Sequence, residues 1–115
     1  MPAYDFQSRF AESVKVGTKR QTIRPKRKRL TRAGDTLYLY TGMRIKRCRL
    51  LATAACQEVR DITISTGGVR MGTDILEYQE LHMLATRDGF GSWDEMREWF
   101  RDRYGLPFNG ELIRW

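Results

Sequence analysis

Histidine, cysteine and proline are all scarce in this chain: one, two and three in 115 residues. Each scarcity excludes something. With His82 alone, a ribonuclease working through two histidines is ruled out. His82 itself falls on the outer side of its helix and reads as a surface residue. Cys48 and Cys56 stand eight positions apart and lack zinc-ligand spacing. Along one extended strand they would point the same way but lie too far apart to bridge, so both read as small buried hydrophobes. No apolar run approaches the roughly 20 residues that span a bilayer. No charged segment leads into a short apolar one, as a secretory leader would require. The expectation is a cytoplasmic protein without metal, cofactor or membrane partner, and a monomer.

What is present is positive charge. The net charge is +7, with 21 Lys and Arg against 14 Asp and Glu. Thirteen of the cations lie between Lys15 and Arg49, and nine of the acids between Asp74 and Glu111. Such segregation implies one basic face and a polyanionic partner, most often nucleic acid. An apolar fraction of 41% supports one hydrophobic core, and residues 1–115 read as a single domain.

Periodicity organises the chain as short strands and three helices. Tyr4 to Phe6 opens as a strand. Phe6, Phe10 and Val14 recur at four-residue spacing, giving a helix over 7–16 that Gly17 stops. Gln21 to Arg24 reads as a strand ended by Pro25. Asp35 to Tyr40 alternates, with Leu37 and Leu39 on one face and Tyr38 and Tyr40 on the other. Arg47 to Gln57 reads as a longer strand with Cys48, Leu50, Ala52, Ala54 and Cys56 in one row. Val59 to Ile64 and Val69 to Met71 flank a Thr66-Gly67-Gly68 turn. Leu76 to Ala85 is helical up to Asp88-Gly89. Ser92 and Glu95 form a capping box, with Glu95 reaching back to the Ser92 amide, and Met96, Trp99, Phe100 and Tyr104 continue that helix. Glu111 to Trp115 is a closing strand. The fold class is α+β, a small and mostly antiparallel barrel with about three helices.

Chemistry concentrates in G-T-K-R-Q-T-I-R-P-K-R-K-R-L-T-R, residues 17–32. Thr22 becomes a nucleophile only if a base takes its proton, and Lys19 serves as that base only as a free amine. In one continuous strand, positions 19 and 22 face opposite ways, so a shared site needs a turn between them. The alternatives are a solvated Lys19, a Thr22 selected for strand propensity and an Asp88 that merely ends a helix. Lys26, Arg27, Lys28 and Arg29 form a basic loop beside Arg20 and Arg24. A second basic run holds Arg44, Lys46 and Arg47. Tyr38, Tyr40 and Trp93 are candidate stacking platforms for bases, whereas Trp99, Phe100 and Trp115 read as core.

The order of these pieces resembles the ASCH family, a branch of the PUA-like barrels associated with RNA. The resemblance rests on an amphipathic first helix, G-T-K-R-Q-T-I-R (17–24), A-G-D-T-L-Y-L-Y-T-G (33–42), C-R-L-L-A-T-A (48–54), L-A-T-R-D-G-F (84–90) and L-P-F-N-G-E-L-I-R-W (106–115). It implies a PUA-like barrel whose cleft lies between the first helix–strand junction and the D-G-F turn. One ASCH group removes acetyl from N(4)-acetylcytidine with a Lys, a Thr three residues on, and a downstream carboxylate. The resemblance would place these roles on Lys19, Thr22 and Asp88, with Asp where that group carries Glu. Other members bind or cleave RNA. The expected function is binding of RNA, or of a nucleotide or nucleoside derived from it. Amidohydrolase, ribonuclease and basic protein-interaction module are the alternatives.

Overall fold

The computed structural model describes residues 2–115. Among these residues there are three helices and eight strands, and the strands divide between a three-stranded sheet and a five-stranded one. Ala3–Phe6 (β1) buries Tyr4 and Phe6, as its alternation requires. Ser8–Val16 (α1) buries Phe10, Ala11 and Val14, then stops at Gly17, whose φ of 87° places it in the left-handed region. Gln21–Arg24 (β2) follows. Thr36–Thr41 (β3) hides Leu37 and Leu39 and leaves Tyr38 and Tyr40 half-buried on its other face.

β3 is the centre of the smaller sheet. It pairs in parallel with β1 and antiparallel with Arg49–Ala55 (β4), in the order β1-β3-β4. The larger sheet adds Glu58–Ser65 (β5), Gly68–Met71 (β6), Asp74–Ile75 (β7) and Phe108–Arg114 (β8), in the order β2-β8-β5-β6-β7. All of its pairings are antiparallel. Tyr78–Arg87 (α2) and Trp93–Tyr104 (α3) pack on each other, α3 also rests on β5 and β8, and α1 covers the smaller sheet. No helix among the described residues is long and apolar enough to cross a membrane.

Three local expectations need correction. The strand expected from Arg47 to Gln57 is shorter, and its single row of small residues is broken. A bulge between Leu39 and Tyr40 pairs them with Ala52 and Leu50, skipping Leu51. Leu51 therefore turns inward at 8% exposure while Leu50 turns out at 49%. Cys48 lies before β4 in an exposed turn, so of the two free cysteines only Cys56 is buried. At α3, Ser92 caps the helix by accepting from the Glu95 amide at 3.1 Å, but the Glu95 carboxylate accepts from Gly91 N–H at 2.9 Å rather than from Ser92. The capping box closed in both directions belongs to α2, between Glu77 and Glu80.

β8 lies between β2 and β5, and the approach is close. A Cβ on Gly110 would collide with the Arg24 carbonyl oxygen and the Phe108 ring, so only glycine fits there. The next residue, Glu111, is 5% exposed and stands opposite both Arg24 and Asp61. One of its carboxylate oxygens is buried without a hydrogen-bond donor. Burial raises its pKa above the usual 4.5, with Lys26 opposing the shift and Asp61 reinforcing it. A raised carboxylate contributes stability that is complete below the unfolded value and is lost as pH rises through the folded one. Glu111→Gln should therefore equal the wild type in acid and become the more stable of the two as pH climbs past that range. Urea melts at several pH values would show it, and a pH-independent difference would contradict the assignment.

Candidate functional site

Lys19 is not on a strand. It lies in the two-residue gap between the Gly17–Thr18 turn and β2, with its amide bonded to the Ser13 carbonyl at 3.0 Å. Strand alternation therefore does not separate it from Thr22: no turn falls between the two, but Lys19 precedes the strand, which begins only at Gln21. Lys19 is 3% exposed. Its ammonium donates to the Asp88 backbone carbonyl at 2.6 Å and lies 3.3 Å from Asp88 Oδ1. The ring centres of Phe10 and Phe6 are 5.1 Å and 5.8 Å from the same nitrogen.

Asp88 ends α2, and Gly89 makes that end sharp. Gly89 has φ of 98°, and a Cβ there would meet the Phe10 ring at 2.9 Å. The turn thus presses Asp88 inward to 5% exposure, against the residues that follow α1. Gln21 completes the network. Its Nε2 donates to Asp88 Oδ1 at 3.1 Å, and its own side-chain oxygen is buried without a donor. Gln21 was not singled out from sequence. Its 1% exposure in the K-R-Q-T segment comes from tertiary packing.

Burial dominates the electrostatics. It lowers the Lys19 pKa below 10.5, Asp88 partly restores it and Arg24 lowers it further. Burial also raises Asp88 above 3.8, opposed by Lys19, Gln21 and Arg24. Both shifts favour the neutral forms, as desolvation does for any buried ion pair.

Thr22 and Arg24 form the next layer. Arg24 Nε donates to Thr22 Oγ1 at 2.8 Å, its Nη2 donates to the Asp5 carbonyl at 2.6 Å, and its guanidinium lies over Phe6 at 4.9 Å. Lys19, Thr22, Arg24 and Asp88 line one cleft, with Trp99, Arg103 and Tyr104 of α3 along another wall. Arg103 lies over Trp99 at 5.4 Å and over Tyr104 at 5.6 Å. The cleft encloses about 40 Å³. That space admits a carbonyl or amino group, or two or three waters, but not a nucleobase ring.

The basic segments fare differently. Lys26 is held at 3.0 Å by Asp61, and Arg27 lies over Tyr4 at 5.3 Å. Lys28 and Arg29 are exposed and line a surface groove of about 790 Å³ near Arg32. Arg44, Lys46 and Arg47 project from the exposed β3–β4 turn, and Arg20 is exposed beside Trp115. Tyr40 faces outward from β3, opposite Leu50. Trp93 packs against the core with Arg97 over its ring, and His82 is exposed. Trp99 is half-buried, whereas Phe100 and Trp115 are buried. Among the described residues no cluster of three or more His, Cys, Asp or Glu could hold a metal ion. No protein-family model, curated protein or solved structure matches the chain.

Proposed function

We propose that this protein is an ASCH-type RNA-binding domain, its two sheets forming a PUA-like barrel, that reads the edge of an unpaired base in the cytoplasm. One observation carries the reading. Lys19 and Asp88, buried and paired at 3.3 Å, line a small cleft edged by aromatic rings and arginines, and Gln21 bonds to Asp88 from outside it. A buried ion pair is a weak source of stability, whereas donors and acceptors fixed at the base of a dry pocket recognise polar groups well. The space suits a base edge. The ring itself would stack outside, on Tyr104 and Trp99. Lys28, Arg29, Arg44, Lys46 and Arg47, all exposed, supply charge for the phosphates.

A second reading, hydrolysis of an acetylated cytidine, draws on the convergence of Lys19, Thr22 and Asp88 along one cleft. The bonding favours binding over it. Thr22 Oγ1 already accepts from Arg24 Nε at 2.8 Å, and no hydrogen bond joins it to Lys19 among the described residues.

One pair of assays separates the two. Fluorescence anisotropy with single-stranded RNA should give an affinity that falls steeply with salt. Lys28→Ala with Arg29→Ala should flatten the log–log slope by about 1.4, at roughly 0.7 for each phosphate neutralised on a single strand. Chromatography of N(4)-acetylcytidine after incubation should show no deacetylation. Turnover abolished by Thr22→Ala would instead establish the hydrolase, and an RNA affinity indifferent to salt would defeat the binding reading.

A further inference from the structure

Behind the cleft, on the far side of Gln21, a second concavity of about 630 Å³ is lined by Arg20, Arg87 and Arg114, with Trp115 beside them. An adjoining groove of about 250 Å³ shares Arg87 and Arg114 and runs on to Arg60. The three arginines come from distant parts of the chain: the approach to β2, the last turn of α2 and the end of β8. We propose that this concavity is a phosphate-binding site separate from the cleft.

The charges facing it leave room for an anion. Arg114 is paired with Glu58 at 2.9 Å and Arg60 with Asp74 at 3.3 Å. Glu80, the acid of the adjoining groove, is turned to the Glu77 amide at 3.0 Å. Arg20 gives its Nε to the Trp115 backbone oxygen at 3.3 Å, is exposed, and has no salt bridge to Asp or Glu among the described residues. Arg87 has no salt bridge among the described residues. Two guanidinium forks therefore border one cavity with their charge unspent. Cations that border one cavity favour an anion within it, and the guanidinium fork matches phosphate oxygens bidentately. The space accommodates a phosphate with its substituents. Gln21 lines this cavity while its amide nitrogen holds Asp88 in the cleft, so the two sites share a wall.

The same chemistry fits a phosphodiester of RNA or the phosphate of a free nucleotide, and the site does not require a base to occupy the cleft. Isothermal titration of the wild type, Arg87→Gln, Arg87→Lys and the Arg20→Gln/Arg87→Gln pair should use pyrophosphate, cytidine 5′-monophosphate, cytidine and a single-stranded RNA decamer. The double variant should lose about tenfold or more in pyrophosphate affinity, with Arg87→Lys losing less because it keeps the charge without the fork. Arg87 is exposed, so Arg87→Gln should melt as the wild type does and serves as the folding control. A monophosphate that competes as well as the decamer identifies a nucleotide ligand. A decamer that resists such competition identifies the backbone. Pyrophosphate binding that is absent from the wild type, or unchanged in a folded double variant, overturns the proposal, as does an equal loss for unphosphorylated cytidine.

Discussion

Asp88→Asn should destabilise the protein by about 3–5 kcal/mol near neutral pH, the cost of stripping one partner from a buried pair. The substitution keeps the backbone carbonyl that Lys19 donates to and keeps an oxygen for Gln21, so shape and hydrogen bonds are nearly preserved. Only the compensating charge is removed. Lys19 in this variant should have its pKa depressed further than in the wild type, where Asp88 still opposes burial. A lysine with a depressed folded value contributes stability above its unfolded pKa and loses it as pH falls through the folded one. The penalty should thus be largest at neutral pH and shrink as pH approaches 10.5, the ordinary lysine value. Adding Lys19→Met should recover much of the loss, because no buried charge then lacks a partner. Denaturant melts of the single and double variants across pH test all three statements. A neutral Asp88→Asn would mean that Lys19 is not buried against it.

Tyr104→Ala should weaken binding to single-stranded RNA by about 1–3 kcal/mol, roughly 5- to 150-fold, while leaving the salt slope unchanged. Tyr104 borders the cleft at 38% exposure, with Arg103 over its ring at 5.6 Å. Its other neighbours are Phe108 at 4.8 Å and Phe100 at 5.7 Å, which hold the ring in place. Removing it deletes a stacking surface and no charge, and phosphate contacts alone set the slope. Tyr104→Phe should bind almost as the wild type, because the ring rather than the hydroxyl is the platform. Loss of affinity together with a flattened slope would place Tyr104 outside the base site.

The sequence carried local structure well and tertiary placement poorly. α1, β2 and the buried Leu37 and Leu39 of β3 follow from spacing, because apolar period and stop signals act over a few residues. The bulge that turns Leu51 inward does not, since it depends on which residues of β3 stand opposite. The parallel pairing of β1 with β3 is equally silent, and β7 is two residues long. Glu95 was recognised as a capping acid, yet it reaches Gly91 and also accepts from Arg9 at 2.7 Å, a partner 86 residues away. At the site, Lys19 and Thr22 stood out as a base and a nucleophile three residues apart, whereas the role of Asp88 came through a resemblance. Gln21, Arg87 and Tyr104 carried no signal, because each matters only through neighbours that folding brings to it.

The position of β8 bears on how the protein is made. Residues 21–24 have no partner until residues 111–114 exist, and neither does the β8 side of β5. A nascent chain that has emerged only through α3 therefore exposes two unsatisfied sheet edges, the kind of template on which chains aggregate. Contacts of such long sequence separation also form slowly. Lys19 and Gln21 precede β2 or belong to it, so the cleft acquires its geometry only when β8 is inserted beside β2.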